Sequence, residues 1–285
     1  MMRLIRLDVL YPRLKRMIKI KMTTTLVLGM PRSGTSVTTL LLEKMGVKLD
    51  LDTCIDDVYK ANHKFLQRRD VHFYIMRIPS IEHAMRDGLA RRPDDIKILT
   101  DILRENAIIK EPYLLWLLPY IRKYIRNVII VIRNPNEVID SIKDFIAHNP
   151  ISTSKINLQF WNNYYITFLR FAEEFNIPYL FVSYKDIVNT PTYVINSLYS
   201  FLSPFYPGIK KDIDPLEYIH ANDRQLSMCN MPIETLYIYQ SIIKGNKSAK
   251  EILMGMSTLD KGINGLCFCD SKRKYKKCCG RPYPE

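Results

Sequence analysis

Gly29-Met30-Pro31-Arg32-Ser33-Gly34-Thr35-Ser36 follows the apolar run Thr25-Leu26-Val27-Leu28 and leads into Val37-Thr38-Thr39-Leu40-Leu41-Leu42. A short apolar run ending in glycine reads as a buried strand, Thr25–Gly29. Thr35 to Met45 reads as a helix, with Gly46 as its C-terminal stop. A strand that turns through Ser33-Gly34 into a helix sets backbone N–H groups at a helix N-terminus. There the N–H groups and the helix dipole attract an anion. Gly34 allows close backbone approach, Thr35 and Ser36 add hydroxyl donors, and Arg32 adds a fixed positive charge.

The spacing Gly29-x4-Gly34 is that of a Walker A phosphate loop, but Thr35 stands where that loop needs lysine. A P-loop kinase or ATPase therefore loses its main support and stays as an alternative. Outward from the loop, strands and helices alternate. Ala107–Lys110 is a second short strand closed by Pro112. Asn127–Ile132 is an apolar run of the kind buried on both faces of a parallel sheet. Asn134-Pro135-Asn136-Glu137 opens a helix, with Asn as cap, Pro in the first turn and Glu137 completing a capping box. Residues 155–175 read as an aromatic-rich helix, Pro178–Ser183 as a fourth strand and Thr190–Leu202 as a helix. Residues 57–105 are mainly helical in pattern, with helix starts at Pro79-Ser80 and Pro93-Asp94. The expected fold is α/β, with a central parallel sheet flanked by helices in three layers and a small C-terminal tail.

The net charge of +13 is unevenly spread. Residues 1–21 hold seven Lys/Arg against one Asp, and residues 261–285 hold seven against two acids. The body is nearly neutral, so a globally basic nucleic-acid face is not expected. Residues 1–21 read as a basic peripheral segment, a targeting peptide or a surface helix without a catalytic role. No apolar run is long enough for a membrane span, and the expected location is cytoplasmic.

Arg133 ends the strongest strand and Ser141 stands eight residues later, about two helical turns into the next helix. Both can grip one further phosphate. Pro31-Arg32-Ser33-Gly34-Thr35-Ser36, and Ile132-Arg133-Asn134-Pro135 with Ser141, resemble the two donor-binding signatures of the PAPS-dependent sulfotransferase family. Lys110-Glu111-Pro112, Tyr184-Lys185-Asp186-Ile187 with Pro191, and Phe201-Leu202 also match family segments in order. The resemblance covers residues 25 to about 205 and implies a P-loop, nucleotide-kinase-like fold, with a sulfotransferase-like domain over residues 22–261.

It further implies a sulfuryl transfer from 3′-phosphoadenosine-5′-phosphosulfate to an acceptor hydroxyl or amine. By resemblance, Arg32, Ser33, Gly34, Thr35 and Ser36 hold the 5′-phosphosulfate, Arg133 and Ser141 hold the 3′-phosphate, and Lys110 is the transition-state lysine. The position where many members carry a histidine base is Pro112 here, so His63 is the candidate base and Glu111 the second. A non-catalytic adaptor is the other alternative.

Cys267-Phe268-Cys269 and Cys278-Cys279 place four of the six cysteines within thirteen residues, around a basic run. Four thiolates at this spacing suit a tetrahedral zinc site. Residues 262–285 resemble the SEC-C motif, which implies structural Zn²⁺ on Cys267, Cys269, Cys278 and Cys279 and docking to a protein or ribosome-like partner.

Overall fold

A computed structural model describes residues 24–47, 49, 93–105, 108–148, 157–215, 231–245 and 247–257. Strand β1 (Thr24–Gly29) leads into helix α1 (Thr35–Lys44). Helix α2 (Pro93–Glu105) precedes β2 (Ile108–Lys110). A 3₁₀ turn over Pro112–Leu117, α3 (Leu118–Ile121) and a second 3₁₀ turn over Arg122–Tyr124 lead to β3 (Ile125–Ile132). Then come α4 (Pro135–His148), α5 (Leu158–Phe175), β4 (Tyr179–Ser183), α6 (Tyr184–Asn189) and α7 (Pro191–Leu202). Helices α8 (Ile233–Lys244) and α9 (Ala249–Ser257) complete the order.

The four strands form one parallel sheet in the order β2-β1-β3-β4. Alternate residues along each strand enter opposite layers, as a pleated strand requires. Leu26, Leu28, Val128, Ile130 and Ile132 pack with Leu103, Trp161, Tyr164 and Ile238. Val27, Ile129, Val131 and Val182 pack with Leu41, Leu42, Val194 and Leu198. The sheet is therefore covered by α2, α5, α8 and α9 on one face and by α1 and α7 on the other. That double cover explains why the strands read as apolar runs without alternation.

The chain leaves β1 toward β2 and leaves β3 toward β4, in opposite directions along the sheet. Open α/β sheets bind ligands at such a switch point, beyond the C-terminal strand ends. Here the switch point lies between β1 and β3, where Gly29 is in register with Val131.

Of the three helix-end features read from the sequence, two are as expected. Gly46, at φ 89°, takes the left-handed position after α1, and Val47 N–H returns to the Leu42 carbonyl at 3.0 Å. The Asn134 side chain accepts from Asn136 N–H at 3.0 Å, as a capping residue does. Glu137 does not close a capping box. Its carboxylate bonds Arg133 Nε at 2.8 Å, because a guanidinium one turn away offers a stronger, charge-assisted partner than a backbone N–H.

Candidate active site

The turn out of β1 is made by Pro31 and Arg32. Ser33 donates its N–H to the Met30 carbonyl at 3.0 Å, closing a four-residue turn. Proline at the first central position and a positive φ at the second are the marks of a type II turn. The second position usually falls to glycine or asparagine, yet here it is Arg32 at φ 71°. That conformation costs an arginine roughly 1–2 kcal/mol. Arg133 helps to hold it, donating from Nη1 to the Arg32 carbonyl at 3.3 Å.

The left-handed backbone aims the Arg32 side chain away from the helix end and toward α4. Its Nε donates to Ser141 Oγ at 3.0 Å, and its guanidinium lies 5.6 Å from the Phe145 ring centroid. Arg32 thus joins Ser141 and Arg133 in one cationic cluster. The Arg133 guanidinium sits 4.2 Å from the centroid of the Tyr184 ring, and its Nε pairs with Glu137 at 2.8 Å. Burial, and next the neighbouring Arg133, lower the pKa of Arg32; Tyr184 and Asp144 oppose this in part.

The two loop glycines answer steric demands. A Cβ on Gly29 would lie 2.6 Å from the Val131 carbonyl oxygen, and one on Gly34 would lie 2.4 Å from the Tyr184 ring. Gly34 also has φ 101° and serves as the N-cap of α1. The first bond of the helix runs from Thr38 N–H to the Gly34 carbonyl, so the N–H groups ahead of it point out of the helix end. Ser33 contributes differently from expectation. It is fully buried, its N–H closes the turn, and its Oγ, near the Tyr165 hydroxyl, makes no well-formed hydrogen bond among the described residues. Ser33 therefore lies beneath the loop, with its hydroxyl turned toward α5.

Lys110 ends β2 opposite Val27 and is 5% exposed. Its Nζ donates to Ser36 Oγ at 3.2 Å, so the ammonium reaches the first turn of α1. Glu111 is fully buried, and its carboxylate accepts from Tyr113 N–H at 3.2 Å as the cap of the adjoining turn. Burial, assisted by that carboxylate, pushes the Tyr113 phenol up to about 12. Glu111 is thus the cap of that turn. His63 and the four tail cysteines lie outside the described residues.

Two adjacent tyrosines of α5, which the sequence marks only as part of an aromatic helix, meet the strand ends from below. Tyr164 accepts from Gly29 N–H at 3.0 Å and donates to the Pro112 carbonyl at 2.7 Å. Tyr165 donates to the Val131 carbonyl at 2.8 Å. Both are fully buried, and burial raises both phenols far above their ordinary range, so they act as neutral donors. Tyr239 of α8 is also buried, packs against Trp161, and feels the charges of Glu137, Asp186 and Arg133.

The sequence profile of the Sulfotransferase family matches residues 25–205. The chain belongs to the sulfotransferase family. The match runs from β1 through α7 and takes in the loop, Lys110, Arg133 and Ser141; α8, α9 and the cysteine tail lie beyond it. Curated proteins yield no match. Membership in this family makes the chain a transferase, and the parallel sheet with helices on both faces is consistent with it. Among the described residues, no helix is long and apolar enough to cross a membrane, and no group of His, Cys, Asp and Glu side chains is placed to hold a metal ion.

Proposed function

We propose that this sulfotransferase moves a sulfuryl group from 3′-phosphoadenosine-5′-phosphosulfate to an acceptor hydroxyl or amine. The observation that carries the reading is the pair of cationic stations flanking one helix N-terminus. Lys110 meets Ser36 on one side, and Arg32, Ser141 and Arg133 cluster on the other. A donor with an anionic group at each end of its ribose needs two such stations.

The loop N–H groups, Thr35 and Ser36 hold the phosphosulfate end. Arg133, with Arg32 and Ser141, holds the 3′-phosphate by charge-assisted hydrogen bonds. The acceptor oxygen or nitrogen forms its bond to sulfur as the bond from sulfur to the phosphate oxygen breaks. Lys110 stabilises the charge that grows on that leaving oxygen. The acceptor's proton passes to a base, for which His63 is our candidate.

Calorimetry with adenosine 3′,5′-bisphosphate and with ADP, each with and without Mg²⁺, tests the donor. The expected result is at least tenfold tighter binding of the bisphosphate, independent of Mg²⁺. Preference for ADP with Mg²⁺ would install a P-loop kinase instead. Turnover of labelled donor on an acceptor panel then separates an enzyme from an adaptor that binds without reacting.

For the tail we propose one structural Zn²⁺ on Cys267, Cys269, Cys278 and Cys279, supported by the spacing and by the softness of four thiolates. Such a tail would dock to a protein or ribosome-like partner. Metal analysis should find about one zinc per chain, lost when Cys278 and Cys279 are replaced by serine. A folded tail without metal overturns this.

A further inference from the structure

Gly29 begins the phosphate loop and Pro112 stands two residues beyond Lys110. The two belong to neighbouring strand ends, yet their ladder stops short of them: β1 and β2 pair only as far as Val27 with Lys110. Past that point one side chain bridges the gap. The Tyr164 hydroxyl takes the Gly29 N–H at 3.0 Å and gives its own proton to the Pro112 carbonyl at 2.7 Å. Its ring is held edge-on by Trp116 at 5.9 Å and Tyr165 at 5.4 Å between centroids, and it has no solvent exposure.

We propose that Tyr164 is a positioning residue that sets the separation between the phosphate loop and Lys110. The inference rests on the proposed sulfuryl transfer for its kinetic consequence, and on geometry alone for the tether itself. Both ends of the bridge are main-chain groups of segments that carry reacting contacts. The Val131 carbonyl and Ser33 already fill the space where a Cβ on Gly29 would stand, so the strand end is closely packed. Lys110 and Ser36 are brought within 3.2 Å by this arrangement. In-line transfer is sensitive to displacement of about 1 Å, which can cost on the order of 100-fold in rate.

Tyr165, one residue on, is less suited to the task. It takes the Met30 N–H and bonds the Val131 carbonyl, so it ties the loop to β3, a strand already fixed by a ladder to β1 through Gly29 and to β4 through Ile132. At the opposite end of β1, Tyr206 donates to Thr25 Oγ1 at 2.8 Å. Tyr206 therefore serves as a comparison: a partly buried tyrosine bonded to a β1 side chain, far from the loop.

The test compares Tyr164→Phe and Tyr206→Phe with the unaltered protein in turnover, bisphosphate affinity and amide hydrogen exchange. Tyr164→Phe should lower kcat about 10- to 100-fold while the bisphosphate Kd changes by less than about threefold. Exchange of the segment containing Gly29 should quicken. Tyr206→Phe should leave kcat within about twofold. Equal kcat losses in the two variants, or a Tyr164→Phe loss seen wholly in Kd, would reduce Tyr164 to a structural tyrosine. Should Tyr164→Phe fail to fold, the unaltered protein still decides: a Gly29 amide that exchanges as fast as an exposed loop amide overturns the tether. If the unaltered protein neither binds the bisphosphate nor turns over donor, the functional reading has failed, and the exchange measurement on Gly29 judges the tether alone.

Discussion

Replacing Lys110 by alanine is expected to lower turnover by on the order of 10²–10³-fold while changing bisphosphate affinity by less than about fivefold. Lys110 reaches the loop through Ser36 and not through the Arg32–Ser141–Arg133 cluster, so its loss spares the station where most binding charge gathers. The ammonium is buried at the end of β2, in surroundings where a charge acts more strongly than in water. Its effect is greatest where charge is created during transfer. Lys110→Arg should recover little, because a planar guanidinium does not replace a point charge in a buried slot. Single-turnover rates alongside bisphosphate titrations would check this. Equal losses in rate and affinity would make Lys110 a binding residue.

Arg133→Ala should act on affinity, weakening bisphosphate binding by about 100-fold or more. Three contacts go at once: the bond to the Arg32 carbonyl, the pairing with Glu137 and the stack on Tyr184. The Glu137 pairing makes the loss larger than one contact is worth. The two side chains are only 13% and 15% exposed, so without Arg133 a carboxylate with little hydration faces the incoming phosphate. Adding Glu137→Gln to Arg133→Ala should therefore recover about tenfold in affinity, although it restores no cation. A double variant no better than the single one would show that Glu137 does not face the ligand.

The strands and the sheet were legible because burial on both faces writes itself as uninterrupted apolar runs. The start of β3 escaped because Arg126 looks like a loop residue; its guanidinium is accommodated over the Phe205 and Tyr206 rings, 5.2 and 5.5 Å away. Helix α6 was hidden in the polar Tyr184-Lys185-Asp186 segment, and α8 carries the β-branched and aromatic Thr235, Tyr237, Ile238 and Tyr239, whose strand preference packing against α5 overrides. In the candidate site, the residues proposed to hold the donor were picked out by motifs, because charged side chains at strand ends have few structural uses. Where they point could not. The direction of Arg32 depends on a single positive φ, and the paired role of Glu137 depends on a guanidinium four residues back. Tyr164 and Tyr165 read as core aromatics, since nothing in a helix pattern reveals which hydroxyl meets a strand end.

The arrangement of Arg32 and Arg133 also bears on how firmly the molecule holds together. Keeping two guanidinium ions as near neighbours in a largely buried place opposes folding, and the lowered pKa of Arg32 is one sign of that opposition. An anion bound between them relieves the repulsion, and it does so only in the folded state. Heat resistance and ligand occupancy would then be two views of one linked equilibrium, in which the charges proposed to hold the donor are also the ones that oppose folding.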